Sequence, residues 1–186
     1  MANVLYGNTL YCDTPGIISK SPIRIRAIEV DPSAAAGLVL FNWWDEARPI
    51  ANTKQFLTGT ITGTNTLTAT GLLTSIYADG SVIKIFPVNK GGGDGSVANM
   101  TYHLIGTAGD NDAIVTAETS LTNEVAKTYL LEAYPARKAF SITTPGTEVI
   151  NEFRYFGEHG VLLPNLTMEL ATNAVAIVYL ADLAAC

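Results

Sequence analysis

Residues 22–44 read PIRIRAIEVDPSAAAGLVLFNWW, and residues 153–181 read FRYFGEHGVLLPNLTMELATNAVAIVYLA. Each is a pair of strand-like runs joined by a short turn of small residues. In the first, Ile23, Ile25 and Ala27 alternate with Arg24, Arg26 and Ile28, the period-two pattern of a half-buried strand. Asp31-Pro32-Ser33 breaks that run, and Gly37–Trp44 resumes it. Near the other end, Val149–Phe156, Leu166–Leu170 and Ala174–Leu180 read as strands, with Thr172-Asn173 as the turn between the last two.

The rest of the chain is also strand-like. Val4–Cys12 ends at the turn formers Asp13, Pro15 and Gly16. Residues 55–74, QFLTGTITGTNTLTATGLLT, alternate Thr with Leu, Ile or Gly, which suits exposed antiparallel strands where β-branched Thr packs on the pleat. Asp79-Gly80 is a two-residue hairpin signal between Leu73–Tyr77 and Ser81–Phe86. Met100–Ile105 and Ala139–Thr143 read as further strands. Residues 117–134 satisfy both the helical and the strand period, and are read as a short helix or turn followed by a strand.

Closely spaced strands with turns of Gly, Pro, Asn and Asp predict an all-β protein, an antiparallel β-sandwich. A jelly-roll-like topology is expected, because it pairs the first and last strands in one framework. The predicted framework is residues 1–50 and 126–186, with residues 51–125 as a β-rich insertion or second lobe.

Composition narrows the function. Of 186 residues, 48% are apolar and only 15% charged, well below the usual quarter or so. The net charge is −6, and the eleven basic residues are scattered. Nucleic-acid binders instead cluster Lys and Arg against phosphate, so no nucleic-acid partner is expected. MANVLYGNTL lacks the basic and apolar regions of a secretory signal. No apolar run approaches the ~18 residues of a membrane helix, so no membrane partner is expected.

The chemistry-bearing residues are sparse. GGGDGS at 91–96 lacks the Lys-Ser/Thr of a phosphate-binding loop and reads as a hairpin tip. Asp110-Asn111-Asp112 lacks the glycine and glutamate that would complete a calcium loop, and reads as a solvated turn. Glu158-His159 is the one acid–base pair of neighbours, with no nucleophile in a recognisable context. No metal-ligand spacing occurs. No catalytic residue, cofactor or metal is therefore expected, and the protein is read as no enzyme. Cys12 and Cys186 sit near opposite ends and read as two thiols, although a bridge between them is geometrically open. Asn99-Met-Thr and Asn165-Leu-Thr match the glycosylation pattern and read as chance matches.

Adjacent strand residues face opposite ways, so one of Trp43 and Trp44 should fill the core and the other face solvent or a partner. Tyr155 and Phe156 repeat the arrangement, with Arg154 beside them as a polar anchor. The expected interface residues are Arg24, Arg26, Trp43, Trp44, Arg154, Tyr155 and Phe156.

The terminal segments resemble a family of small virion proteins of tailed bacteriophages. Ser21-Pro-Ile-Arg-Ile-Arg-Ala-Ile, the turn Pro32–Gly37 and Gly37-Leu-Val-Leu-Phe carry the resemblance at one end. Gly160-Val-Leu-Leu-Pro-Asn-Leu-Thr and Thr172-Asn-Ala-Val-Ala-Ile-Val-Tyr carry it at the other, and residues 51–125 depart from it. The resemblance implies a capsid decoration or cement-like structural protein. Its expected place is the outer capsid surface, after assembly in the host cytoplasm. It would bind the major capsid protein or other virion proteins, as a homo-oligomer. The alternative is a phage adhesin or lectin-like module that stacks host surface glycans on exposed aromatics.

Overall fold

The structure is a computed structural model that describes residues 3–31, 37–72, 77–86, 88, 99–108, 112–144, 152–170 and 174–181. The chain is all-β: the described residues form sixteen antiparallel-paired strands and no α-helix. Two compact units result, one of residues 1–43 with 137–186 and one of residues 44–136. Residues 44–50 and 126–136, assigned above to the framework, therefore lie in the second unit. The reason is pairing: residues 124–134 form one strand that hydrogen-bonds to strands of that unit.

The first unit contains β1 (Val4–Tyr6), β2 (Thr9–Cys12), β3 (Gly16–Ser19), β4 (Ile23–Asp31) and β5 (Gly37–Trp44). After the second unit the chain returns as β12 (Ala136–Thr144), β13 (Glu152–Tyr155), β14 (Val161–Leu163), β15 (Leu166–Glu169) and β16 (Val175–Leu180). Strand by strand, the start pairs with the end. β2 pairs with β16, β3 with β15, β4 with β13 and β14, and β5 neighbours β12. This is the pairing of one long hairpin, whose sequence is interrupted between β5 and β12 by the second unit. The pairs alternate between two sheets, ordered β1-β2-β16-β4-β13, with β14 also on β4, and β12-β5-β15-β3. One apolar cluster draws on both: Ile25, Ile28, Val30 and Val178 from the first, Phe41, Phe140, Leu166 and Met168 from the second. Phe140 lies 4.9 Å from Phe41 and 5.0 Å from Phe156, ring centre to ring centre.

A single bulge corrects the simple alternation expected of β4. Tyr179 pairs with Ala27 but Leu180 pairs with Ile25, so Arg26 has no partner across the ladder. On the other side Tyr155 pairs with Ala27 and Val161 with Ile25, and between them Phe156 N donates to the Arg26 carbonyl at 2.9 Å. One extra residue reverses the faces that follow it. Ile28 and Val30 consequently enter the core, fully buried, while Ala27 and Glu29 turn outward with their cross-strand partners.

The second unit contains β6 (Gln55–Thr62), β7 (Thr66–Ala69), β8 (Val82–Phe86), β9 (Tyr102–Ala108), β10 (Ala113–Thr116) and β11 (Glu124–Tyr134). These close into a barrel in the order β6-β7-β10-β9-β8-β11. The Thr-rich stretch is the β6–β7 hairpin, turned at Gly63 and Thr64, both in the left-handed region. Its apolar alternates Ile61 and Leu67 point into the barrel with Ile83, Ile85, Ile105, Ile114, Tyr129 and Leu131. Gly59 marks a close approach, since a Cβ there would meet the Thr68 carbonyl oxygen at 2.9 Å.

Two local readings change. Residues 124–134 are strand, and no helix precedes them in 117–123, because barrel closure gives that backbone partners on both sides. The turn at Asp79-Gly80 forms, with Ser81 N donating to Ala78 O at 3.0 Å. Residues 73–76, in the other arm of the expected hairpin, lie outside the described residues, and β8 pairs with β9 and β11. The loop at 91–96, Asp110-Asn111, the turn at Thr172-Asn173 and Cys186 lie outside the described residues.

Both glycosylation-pattern asparagines are interior. Asn99 is fully buried; its amide donates to Thr122 O at 2.9 Å and accepts from Thr122 N at 2.7 Å. Asn165 is also buried. Neither side chain is open to modification in the folded chain.

Candidate binding cleft on the first unit

The outer face of the β1-β2-β16-β4-β13 sheet is unusually aromatic. Antiparallel partners share a face, so register alone sets its rows. One row runs Tyr11, Ile177, Glu29, Phe153, and the next runs Tyr6, Thr9, Tyr179, Ala27, Tyr155. Tyr6 is 66% exposed, Phe153 59%, Tyr155 52% and Tyr11 44%. Leu162, paired with Arg24 farther along β4, is exposed on the same face. Five of the nine large apolar side chains exposed among the described residues thus share one sheet face.

Within this face lies a cleft of about 410 Å³. Ala27 is its floor, because its methyl group sits between the longer side chains of Tyr179 and Tyr155 in the same row. Those tyrosines stand on strands two spacings apart, about 10 Å. Phe153 extends one wall, its ring centre 6.3 Å from that of Tyr179. The Tyr179 hydroxyl donates to Glu29 Oε2 at 2.8 Å. That hydrogen bond, with some help from burial, raises the phenol's pKa and keeps the wall neutral. Arg26, Asn8 and Thr9 bring polar groups to the rim.

The β4 bulge is what places Arg26 there. Its guanidinium makes no hydrogen bond or ion pair among the described residues. A smaller polar pocket of about 160 Å³ adjoins the cleft, sharing Arg26, Asn8 and Leu180 and adding Arg24, Glu158 and His159. Arg24 donates to the His159 carbonyl at 2.9 Å, which ties the 156–160 loop to β4. Gly160, at φ +62°, passes so close to β4 that a Cβ would lie 2.4 Å from the Ile25 carbonyl oxygen.

The expected interface residues separate. Arg26 and Tyr155 meet at the cleft, and Arg24 lines the pocket beside it. Arg154 is exposed on the edge strand, in register with core-facing Ile28. Trp43 is half-buried against the core, with Arg137 5.3 Å above its ring. Two side chains leave the set. Trp44 is fully buried, 5.3 Å from Tyr102, and Phe156 packs on the core against Phe140. Apolar ring area made these two strong core residues, and strand alternation puts Phe156 on the face opposite Tyr155.

Phe153, Tyr179 and Ala27 escaped the reading of the sequence. Phe153 and Tyr155 do carry a period-two signal, but only the register shows that Tyr179 faces them across Ala27.

Elsewhere the polar groups serve the fold. His103, inside the barrel, has Nε2 3.0 Å from the Asn99 carbonyl and Nδ1 3.3 Å from Glu118. Glu118 also accepts from the Leu104 amide. On the barrel's outside Lys84 Nζ donates to the Tyr102 hydroxyl at 2.6 Å. Among the described residues no group of three His, Cys, Asp or Glu side chains is placed to hold a metal ion. No described helix is long and apolar enough to cross a membrane.

Cys12 is a core residue of β2, fully buried. Burial, with a smaller contribution from Asp13, pushes its thiol pKa from 9.0 up to about 12. Since the folded chain holds this proton more tightly, its contribution to stability is complete below pH 9. It is lost progressively between about pH 9 and 12, at up to roughly 1.4 kcal/mol per pH unit. In a Cys186→Ser background, Cys12 should resist a thiol reagent at pH 8 until the protein is unfolded. Urea titrations should show stability falling above pH 9, less steeply in Cys12→Ala. Rapid labelling of the native thiol would contradict the buried placement.

Compared with known proteins, the chain matches no protein family, no curated protein and no solved structure.

Proposed function

We propose that this chain is a structural virion protein of a tailed bacteriophage, attached to the capsid exterior through protein–protein contacts. The observation that carries the reading is the concentration of exposed aromatic side chains on one face of one sheet. Contiguous exposed apolar surface of this kind marks a binding surface in soluble proteins. Attachment is through β1 and β2, where Tyr6 and Tyr11 pack edge to face with ring centres 5.8 Å apart. Among the described residues strand β1 ends the sheet there, which leaves its edge for pairing. Tyrosines of this sort contribute much contact area at little entropic cost.

The fold we propose for the first unit is a jelly roll. Its support is the hairpin-like pairing of early strands with late ones, alternating between two sheets, an arrangement found in viral capsid and lectin domains. The resemblance of both terminal segments to small phage virion proteins points the same way. The net charge of −6 suits the outside of a particle filled with DNA.

Shells prepared without this protein provide the test. Added wild-type protein should co-sediment with them, and cryo-EM should show the added density. A Tyr6→Ser/Tyr11→Ser double variant should keep its melting temperature within a few degrees while losing most of the binding. No co-sedimentation of the wild type, or full binding by the folded double variant, would reject attachment through this face.

A further inference from the structure

We propose that the cleft between Tyr179 and Tyr155 is a saccharide site that takes one pyranose ring of a surface glycan. A pyranose has apolar C–H faces above and below and hydroxyls around its rim. It therefore suits a slot with aromatic walls and polar ends. The slot has that construction: Tyr179 and Tyr155 stand in one cross-strand row with only Ala27 between them, and Phe153 prolongs one wall. Its volume of about 410 Å³ lies in the range of small-molecule sites, which combine apolar lining with a few polar groups.

The polar end is equally specific. Arg26 reaches the rim only because of the bulge, and its guanidinium is uncommitted among the described residues. It supplies fixed donors for hydroxyl or ring oxygens. Asn8 and Thr9 stand across the cleft from Phe153 and Tyr155 as further polar partners. The Tyr179 wall is held in place by its bond to Glu29, so part of the ordering cost of binding is met before a ligand arrives. The site is independent of attachment through β1 and β2. A particle anchored by Tyr6 and Tyr11 would leave the β16–β13 side of the sheet to contact sugars.

The test uses the full-length protein on a glycan array printed with bacterial surface oligosaccharides and neutral pyranose oligomers. The best-bound printed glycan is then titrated by saturation-transfer NMR. Ala27→Leu fills the slot from its floor, and Tyr155→Ala removes a wall. Each should weaken binding by about tenfold or more. Phe56→Ser, exposed on β6 of the second unit, should leave it unchanged. Because Tyr155 is 52% exposed, its removal should barely shift the melting temperature, so lost binding will not reflect unfolding. Three results would overturn the proposal: no printed glycan bound at millimolar concentration, equal binding by wild type and Tyr155→Ala, or displacement of the glycan by adenosine monophosphate. Loss of shell binding in Tyr6→Ser/Tyr11→Ser with glycan binding intact is expected, and separates this site from the attachment face.

Discussion

Gly160→Ala should lower the stability of the protein by about 2–5 kcal/mol, the sum of two costs. Gly160 sits at φ +62°, where an L-residue is disfavoured by roughly 1–2 kcal/mol. Its new methyl would also meet backbone: Ile25 O at 2.4 Å, Ile25 C at 2.9 Å and Arg26 Cα at 3.2 Å. Backbone in a paired strand cannot swing aside as a side chain does, and overpacking of this kind costs about 1–3 kcal/mol. Gly157→Ala is the matched control. It has φ +90° with nothing within 4 Å of the added Cβ, so it carries only the conformational cost. Urea denaturation of both variants measures the difference. Equal losses would mean that the 156–160 loop does not approach β4 as described. Since that loop holds His159 against Arg24, Gly160→Ala should also disturb the polar pocket beside the cleft.

The second large effect is expected at the tryptophan pair. Trp44→Ala should destabilise the protein by about 3–5 kcal/mol, the usual result of emptying a fully buried aromatic site. Its ring centre lies 5.3 Å from that of Tyr102, which in turn lies 6.0 Å from Tyr134, so one deletion loosens a chain of three rings. Trp43→Ala should cost less, about 1–2 kcal/mol, since its indole is only half-buried. Chemical denaturation followed by circular dichroism avoids the loss of the fluorescence probe. A larger loss at Trp43 than at Trp44 would reverse their assignment.

Much of the first unit was legible in the quoted segments. Period-two alternation and β-branched residues located β4, β5, β15 and β16, because those signals arise from the pleat itself. The central region was read correctly as β-rich, but its limits were set too narrowly. Residues 124–134 satisfy helix and strand periods alike, and only the barrel's unmatched backbone groups on β6 and β8 decide between them. Asp79-Gly80 gave a true turn but not the partners of β8, which are β9 and β11: turn chemistry is local, whereas strand pairing is not.

The cleft shows the same division at finer scale. That Tyr155, Phe156 and two arginines belonged near a surface could be read from residue type and alternation. That Phe153 and Tyr155 take the outer face and Phe156 the inner one could not, because their register with Glu29 and Ala27 decides it. A bulge carries no distinctive residue here; Arg26 fits the alternation on paper and breaks it only in the ladder.

What the sequence by itself determined is the material: all-β construction, an acidic and weakly charged chain, and terminal segments that belong together. Only the tertiary structure decided which strands pair, where the second unit begins, and which aromatic side chains share a face. The physical reason is that side-chain pattern acts over two to ten residues, whereas register is fixed by partners separated by up to 170 positions, as between Thr9 and Tyr179 (179 − 9). Ala27 became the floor of a cleft through such long-range pairing alone.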